Sequence, residues 1–252
     1  YQYSNSAWTQ LGDDIDGEVA ADQSGYSVSL SSDGTIVAIG AHKNDDTDTD
    51  AGHVRVYQRD ESNTTVAPIG WTKLGNDIDG EVAGDNSGYS VSLSSDGTIV
   101  AISAYANGGG VGTVRVYQRD ESNTTVAPIG WTKLGNDIDG EAYADNSGIV
   151  SLSSDGTIVA FGSAANDGNG TSSGHVRVYQ YSNSAWTQIG GDIDAEAAYD
   201  YLGSSVSLSS DGSIVAIGAT GNDGTDTGAG HVRVYQYSNS AWTQLGDDID
   251  GE

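Results

Sequence analysis

Five times along the chain, a short phrase sets carboxylates at alternate positions. They are Asp14, Asp16 and Glu18; Asp77, Asp79 and Glu81; Asp137, Asp139 and Glu141; Asp192, Asp194 and Glu196; and Asp248, Asp250 and Glu252. The form is Asp-Ile-Asp-Gly-Glu, with Ala195 in place of glycine in the fourth copy. On an extended segment, alternate side chains point the same way about 7 Å apart. Hard cations want clustered oxygens, so Ca²⁺ is the natural candidate, although a full site takes about six to eight of them. The competing reading is a solvated acidic turn between structural units. A second acidic stretch, Asn44 to Asp50, reappears in shortened form around Asn222 to Asp226, but the matching loop of the second unit is Asn107-Gly-Gly-Gly-Val111. A metal site common to every such loop is therefore not expected.

Other recurring residues carry weaker chemistry. His53, His175 and His231 stand just before a Val-Arg-Val-Tyr phrase, with Thr113 in the remaining copy. One histidine per unit cannot chelate a metal alone, so a structural role at a strand end is expected. Arg55, Arg115, Arg177 and Arg233 recur two residues later and should pair with nearby acids, at modest energy if exposed. Trp8, Trp71, Trp131, Trp186 and Trp242 have two readings, sugar-stacking platforms or core anchors. A large aromatic at one fixed phase per unit favours core. Asn63, Asn123 and Asn169 open N-x-[ST] sequons, acceptors for glycan if the chain is secreted. No nucleophile elbow, zinc-protease helix or phosphate-binding glycine loop is present, and a generic carboxylate pair in an acidic chain is no evidence of glycoside hydrolysis. The expectation is a protein that is not an enzyme.

These residues must be positioned by repeating elements. The tryptophans stand in W-T-[QK]-[LI]-G phrases spaced about 55 to 63 residues apart, each followed by the acidic phrase. Next come alternating serines and aliphatics (Val28 and Leu30 in the first unit), an Asp-Gly turn at Asp33-Gly34, Asp96-Gly97, Asp155-Gly156 or Asp211-Gly212, and an apolar run such as Ile36-Val37-Ala38-Ile39. Alternation predicts a strand with one buried face, Asp-Gly a hairpin turn, and the continuous run a central strand covered on both faces. Val54 to Tyr57 and the tryptophan phrase supply two further strands. Four strands per unit and no helical periodicity predict an all-β fold of β-propeller-type tandem repeats, four four-stranded blades with one surplus strand. A β-solenoid is the rival, but its coils are typically shorter. The boundaries expected are 1–18 for the surplus fourth strand with its acidic linker, then 19–81, 82–141, 142–196 and 197–252 for the four repeats.

Composition narrows the partners. With 36 acidic against 9 basic side chains the net charge is −27, so nucleic acid and anionic membranes would be repelled. No apolar run is long enough for a transmembrane helix. The absence of Cys removes disulfides and thiolate chemistry, and a chain that starts at Tyr1 without any Met reads as processed or as a segment of something longer.

The run Ser24-Gly25-Tyr26-Ser27-Val28, continuing through Asp33-Gly34 to Gly40-Ala41 and then to Gly52-His-Val-Arg-Val-Tyr57, resembles an FG-GAP repeat. Such repeats form the blades of integrin α-subunit propellers and occur in many microbial and algal surface proteins. Gly25, Ser27, Val28, Gly40 and Ala41 match the family pattern, while Ser24 stands where Phe is usual and His42 where Pro is usual. The family's calcium loop between the first two strands is here reduced to Ser-Ser-Asp-Gly, so that site is not carried over.

Residues 1–18 and 235–252 are identical letter for letter, and so are residues 54–81 and 114–141. Four units that end in their own fourth strand leave the first copy over. It closes a ring, completes a blade in a neighbouring molecule, or marks one period of a longer array; an unpaired edge in solvent is disfavoured. The expected function is that of an extracellular or cell-surface structural and adhesive repeat protein, self-associating through its end strands as a segment of a surface protein or fibre. The alternative is a calcium-dependent or carbohydrate-binding propeller, with glycans as partners.

Overall fold

The structure, a computed structural model, describes residues 1–145, 148–224 and 226–251. Each repeat builds one antiparallel sheet. In blade 1 the strands Ser27–Leu30, Ile36–Ala41, His53–Arg59 and Trp71–Lys73 follow one another across the sheet in chain order. Ile78–Asp79 then pairs with the beginning of the third strand, where His53 faces Asp79 and Val54 faces Ile78. The outer strand is thus broken in two, and the acidic phrase is its second half rather than a linker. Blade 2 repeats this with Ser87–Leu93, Ile99–Ala104, Thr113–Arg119, Trp131–Lys133 and Ile138–Asp139. Blade 3 uses Ile149–Leu152, Ile158–Ser163, His175–Ser182, Ala185–Gln188 and Ile193–Asp194. Blade 4 uses Leu202–Leu208, Ile214–Ala219, His231–Ser238, Ala241–Gln244 and Ile249–Asp250. A four-residue helical turn, Asn107–Gly110, lies in the blade 2 loop.

The architecture is of the β-propeller type: sheets packed face to face in chain order. Turn chemistry explains each hairpin. Asp33 Oδ1 accepts hydrogen bonds from Ser31 Oγ at 2.7 Å and from the Thr35 amide at 2.9 Å, and the same Ser-x-Asp-Gly-Thr/Ser pattern serves the other three turns. That aspartate is spent inside its own turn.

Three apolar clusters fill the three seams. Ala38, Val54, Val56 and Ile78 of blade 1 meet Val91, Leu93, Val100 and Trp131 of blade 2. Ala101, Val114 and Ile138 meet Val150 and Phe161, and Val176, Val178 and Ile193 meet Leu202 and Ile217. Ile78, Ile138 and Ile193 of the acidic phrases are therefore core residues, with the flanking carboxylates on the other side of the strand. First strands depart from the single buried face expected of them. Val91 and Leu93 point into the seam with blade 1, while Ser92 Oγ accepts the Leu152 amide of blade 3 at 3.0 Å. Serine here bonds the backbone of the next blade instead of facing solvent.

Among the described residues no apolar cluster joins blade 4 to blade 1. Val28 and Leu30, on the first strand of blade 1, are 64% and 60% exposed, and Ile249 of blade 4 is 61% exposed. Their counterparts Val91 and Leu93 are 7% and 8% exposed. The four blades form an open arc with an apolar face at each end.

The segment 1–18 holds two short strands rather than the one expected. Gln2–Ser4 pairs with Ala7–Thr9, with Tyr3 opposite Trp8. This is the register of Tyr237 opposite Trp242 in blade 4, so the segment reproduces the end of a third strand as well as a fourth.

Candidate functional site

Two constructions recur where blades meet, and the tryptophan phrase makes the first. Trp131 Nε1 donates to Leu74 O of the preceding blade at 2.9 Å; Trp186 does so to Leu134 O and Trp242 to Ile189 O. The ring lies against Gly75, whose φ of +72° breaks the outer strand; a Cβ there would fall 2.9 Å from Trp131 Nε1 and 2.5 Å from Ile129 O. Trp131 is fully buried and Trp71, Trp186 and Trp242 are partly so, as anchors of seams. Trp8 is 69% exposed and packs against the Tyr3 ring. Trp71 bonds Leu11 O at 3.0 Å, so residues 1–18 are docked on blade 1 as the outer edge of a preceding blade.

The acidic phrase makes the second. Arg115 is buried on the third strand of blade 2 and meets Asp137 of its own blade at 3.0 Å and Glu81 of the preceding phrase at 3.1 Å, with Asp85 at 3.6 Å. Arg233 takes Asp248 through two nitrogens, at 2.8 and 2.7 Å, and also Glu196. Arg177 bonds Asp139 O and approaches Glu141, and Arg55 bonds Asp16 O at 2.7 Å and approaches Glu18. These guanidiniums pair with acids, as sequence suggested, but they do so out of solvent. They are buried clamps across seams, where losing one partner is costly.

Beside three of the clamps stands the histidine. In blade 1, His53, Glu18, Asp46 and Asp77 each offer one ligand atom, all within 4.8 Å of one another. Blade 3 brings together Glu141, His175 and Asp192, and blade 4 His231, Asp248 and Asp250. In blade 2, Thr113 Oγ1 donates to Asp139 Oδ1 at 2.6 Å in the same place. His53 is wholly buried, and neither ring nitrogen has a hydrogen-bond partner among the described residues. Burial pushes its pKa down, with Arg55 adding to the effect against the pull of Asp77, so the ring is held neutral. Burial likewise pushes Glu18 up; Arg55 opposes it, and the crowding of Asp77 and Asp46 reinforces it.

Of the fifteen carboxylates singled out by sequence, Glu18, Asp77, Glu141, Asp192, Asp248 and Asp250 enter these clusters. Glu81, Asp137 and Glu196 are engaged by arginine. Asp79 and Asp194 face the third-strand histidines in register, and burial pushes both up. Asp14 and Asp16 line an open cavity of about 990 Å³ beside Arg55, Pro68 and Trp71, and the Asp139 side chain takes Thr113. Glu252 lies outside the described residues.

Sequence reasoning missed the buried aspartates Asp22, Asp85, Asp145 and Asp200. Asp85 accepts the amides of Glu81 and Val82 and the side-chain amide of Asn107; Asp22 and Asp145 hold Asn44 and Asn166 in the same way. Their fixed phase in every repeat was the available signal. The sequons also read differently in three dimensions. Asn63 Nδ2, the atom a glycan would take, donates to Val66 O, Pro68 O and Trp71 O at 2.8, 3.2 and 2.6 Å; Asn123 does the same in its loop, and Asn169 Nδ2 donates to Ala195 O. Glycan on these nitrogens would strip the loops of that scaffold.

Comparison with known proteins follows the geometry. Residues 15–57 match the family described as FG-GAP repeat, so the first unit is an FG-GAP-type repeat from its acidic phrase into its third strand. No curated protein matches the chain. Among solved structures, the periplasmic gluconolactonase PpgL of Pseudomonas aeruginosa is 15% identical with a TM-score of 0.52, over 89% of this chain and 56% of that one. A putative 6-phosphogluconolactonase from Bacteroides uniformis is 14% identical (TM-score 0.46; 89% and 71% covered), and TolB from Acinetobacter baumannii 16% identical (0.45; 87% and 42%). The chain thus spans about half the length of PpgL and less of TolB. The expectation of a non-enzyme is overturned here: a protein described as a gluconolactonase shares this fold, so the fold alone does not decide against catalysis.

Proposed function

We propose that this chain is a structural repeat module of a secreted or envelope-surface assembly, and that it associates head to tail. Blade 4 of one copy seats on the open face of blade 1 in the next, its residues 235–252 taking the place held by residues 1–18. One observation carries this reading. Residues 1–18 already sit on blade 1 through the Trp71–Leu11 bond, as the outer edge of any blade sits on the next, while Val28 and Leu30 beside them lack the inner strands that would cover them. The two segments are identical, so exchange costs no complementarity. The location is supported by the FG-GAP repeat.

Electron microscopy of the full chain tests the reading. Filaments with a regular axial repeat are expected, and the exposed pair Val28→Asp and Leu30→Asp should leave single arcs. Discrete particles from the unaltered chain at every concentration would sink it. A second reading, carbohydrate binding, draws on a ladder of rings that sequence did not single out. Tyr89 stacks on Tyr105 at 4.6 Å, Tyr26 tilts against Tyr89 at 5.2 Å and His42 packs against Tyr26, a surface suited to a sugar face. Glycan-array binding that is lost in Tyr105→Ala would favour it.

A further inference from the structure

We propose that the blade 1 cluster is a binding site for a divalent transition-metal ion of the zinc type, held by His53 Nδ1 and the carboxylates of Glu18, Asp46 and Asp77. Three observations carry it. The first is the donor set: one imidazole with three carboxylates suits zinc and its neighbours, whereas calcium takes oxygen alone. The second is spacing. His53 Nδ1 stands 4.0 Å from Glu18 Oε2, too far for a hydrogen bond, and the four atoms lie within 4.8 Å of one another. Ligands about 2.0–2.2 Å from a shared tetrahedral ion are separated by roughly 3.3–3.6 Å, so the set closes on an ion with shifts of no more than roughly 0.6 Å per ligand. The third is His53 itself: wholly buried, it aims a nitrogen with no hydrogen-bond partner at the carboxylates. An unsatisfied buried nitrogen is costly unless something supplies the missing interaction.

Blade 1 is the favoured copy for a reason visible in the sequence. Asp46 supplies the fourth ligand, and Gly168 and Gly224 hold its place in the loops of blades 3 and 4. In blade 4 the shared Asp248 is also taken by both arms of Arg233. Blade 2 has threonine for histidine, and its hydroxyl satisfies Asp139 directly. Glu18 comes from the preceding phrase and the other three ligands from blade 1, so the ion would pin residues 1–18 to the first sheet.

The test is calorimetric titration of the metal-stripped full chain with zinc chloride, repeated in excess calcium chloride. A chain of charge −27 gathers divalent cations diffusely, so the variants decide. His53 is buried and its replacement disturbs packing; the exposed Asp46→Asn and Glu18→Gln carry the test instead. One strongest zinc site is expected, resistant to calcium and weakened at least tenfold in each variant; the melting temperature of the metal-free protein is unchanged in Asp46→Asn and lower in Glu18→Gln, which also loosens the Arg55 clamp. The His53 ring should shift in NMR spectra on adding zinc. Equal zinc affinity in the variants, displacement by calcium, a silent His53 ring or no zinc uptake would each overturn the site.

Discussion

Leu93 and Leu30 occupy the same place in consecutive repeats, yet one is core and the other is open to solvent. The same holds for Val91 against Val28, for Ile78 against Ile249, and for Trp131 against Trp8. What differs is only whether a neighbouring blade is present. A first strand in this fold is covered by the blade before it, and the isoleucine of an acidic phrase by the blade after it. Burial is therefore a property of seams, and an end blade carries the chemistry of a seam without its partner.

The comparison can be broken at several points. The largest effect is expected from Leu93→Ala, which empties the first seam and should cost about 2–5 kcal/mol. Leu30→Ala should stay within about 0.5 kcal/mol in dilute solution. Urea denaturation of both variants measures the contrast, and equal losses would mean that the two faces are equally covered. Next in size is Gly75→Ala. Its positive φ alone costs an alanine about 1–2 kcal/mol, and the new methyl would also press on Trp131 and Ile129 O. Gly246→Ala at φ +73°, with nothing within 4 Å, should show the conformational cost alone. Trp131→Phe removes the donor to Leu74 O and should cost about 1–3 kcal/mol, whereas Trp8→Phe should leave thermal unfolding unchanged.

The smallest effect sharpens the comparison by failing to follow it, since hairpin turns are local. The Asp211 carboxyl is pulled down to about 2 by the Ser213 amide and by the Ser209 and Ser213 hydroxyls. Asp33 is lowered in the same way by Thr35 and Ser31; in Asp96 and Asp155 burial pulls upward and the same bonds outweigh it. A depressed folded pKa means that the turn's stabilisation is present above the ordinary aspartate value and is lost as pH falls, for Asp211 through about 2. Carboxyl titration by NMR should find all four low, in end and interior blades alike.

What was legible in the sequence was what is local. The Asp-Gly turns, the apolar second strand and the alternating first strand each declare themselves within a few residues, and the repeat multiplies the signal fourfold. What escaped depends on seams. His53 read as a strand-end residue, and Arg55 as the partner of some nearby acid, because Glu18 belongs to the preceding phrase and only packing brings it within 4 Å. The acidic phrase read as a linker because its one apolar residue, Ile78, finds its core in the next blade. Asn63 read as a glycan acceptor because a sequon looks the same whether its amide is free or bonded to three carbonyls.

The central claim, that the open faces of blades 1 and 4 serve each other in neighbouring copies, is tested most directly by sedimentation velocity of the full chain over a wide concentration range, beside the Val28→Asp, Leu30→Asp variant. Open-ended oligomers that grow with concentration, and a variant that stays monomeric with an unchanged melting temperature, are the predicted result. A chain that remains monomeric at the highest concentration, or a variant that associates as well as its parent, would contradict the account.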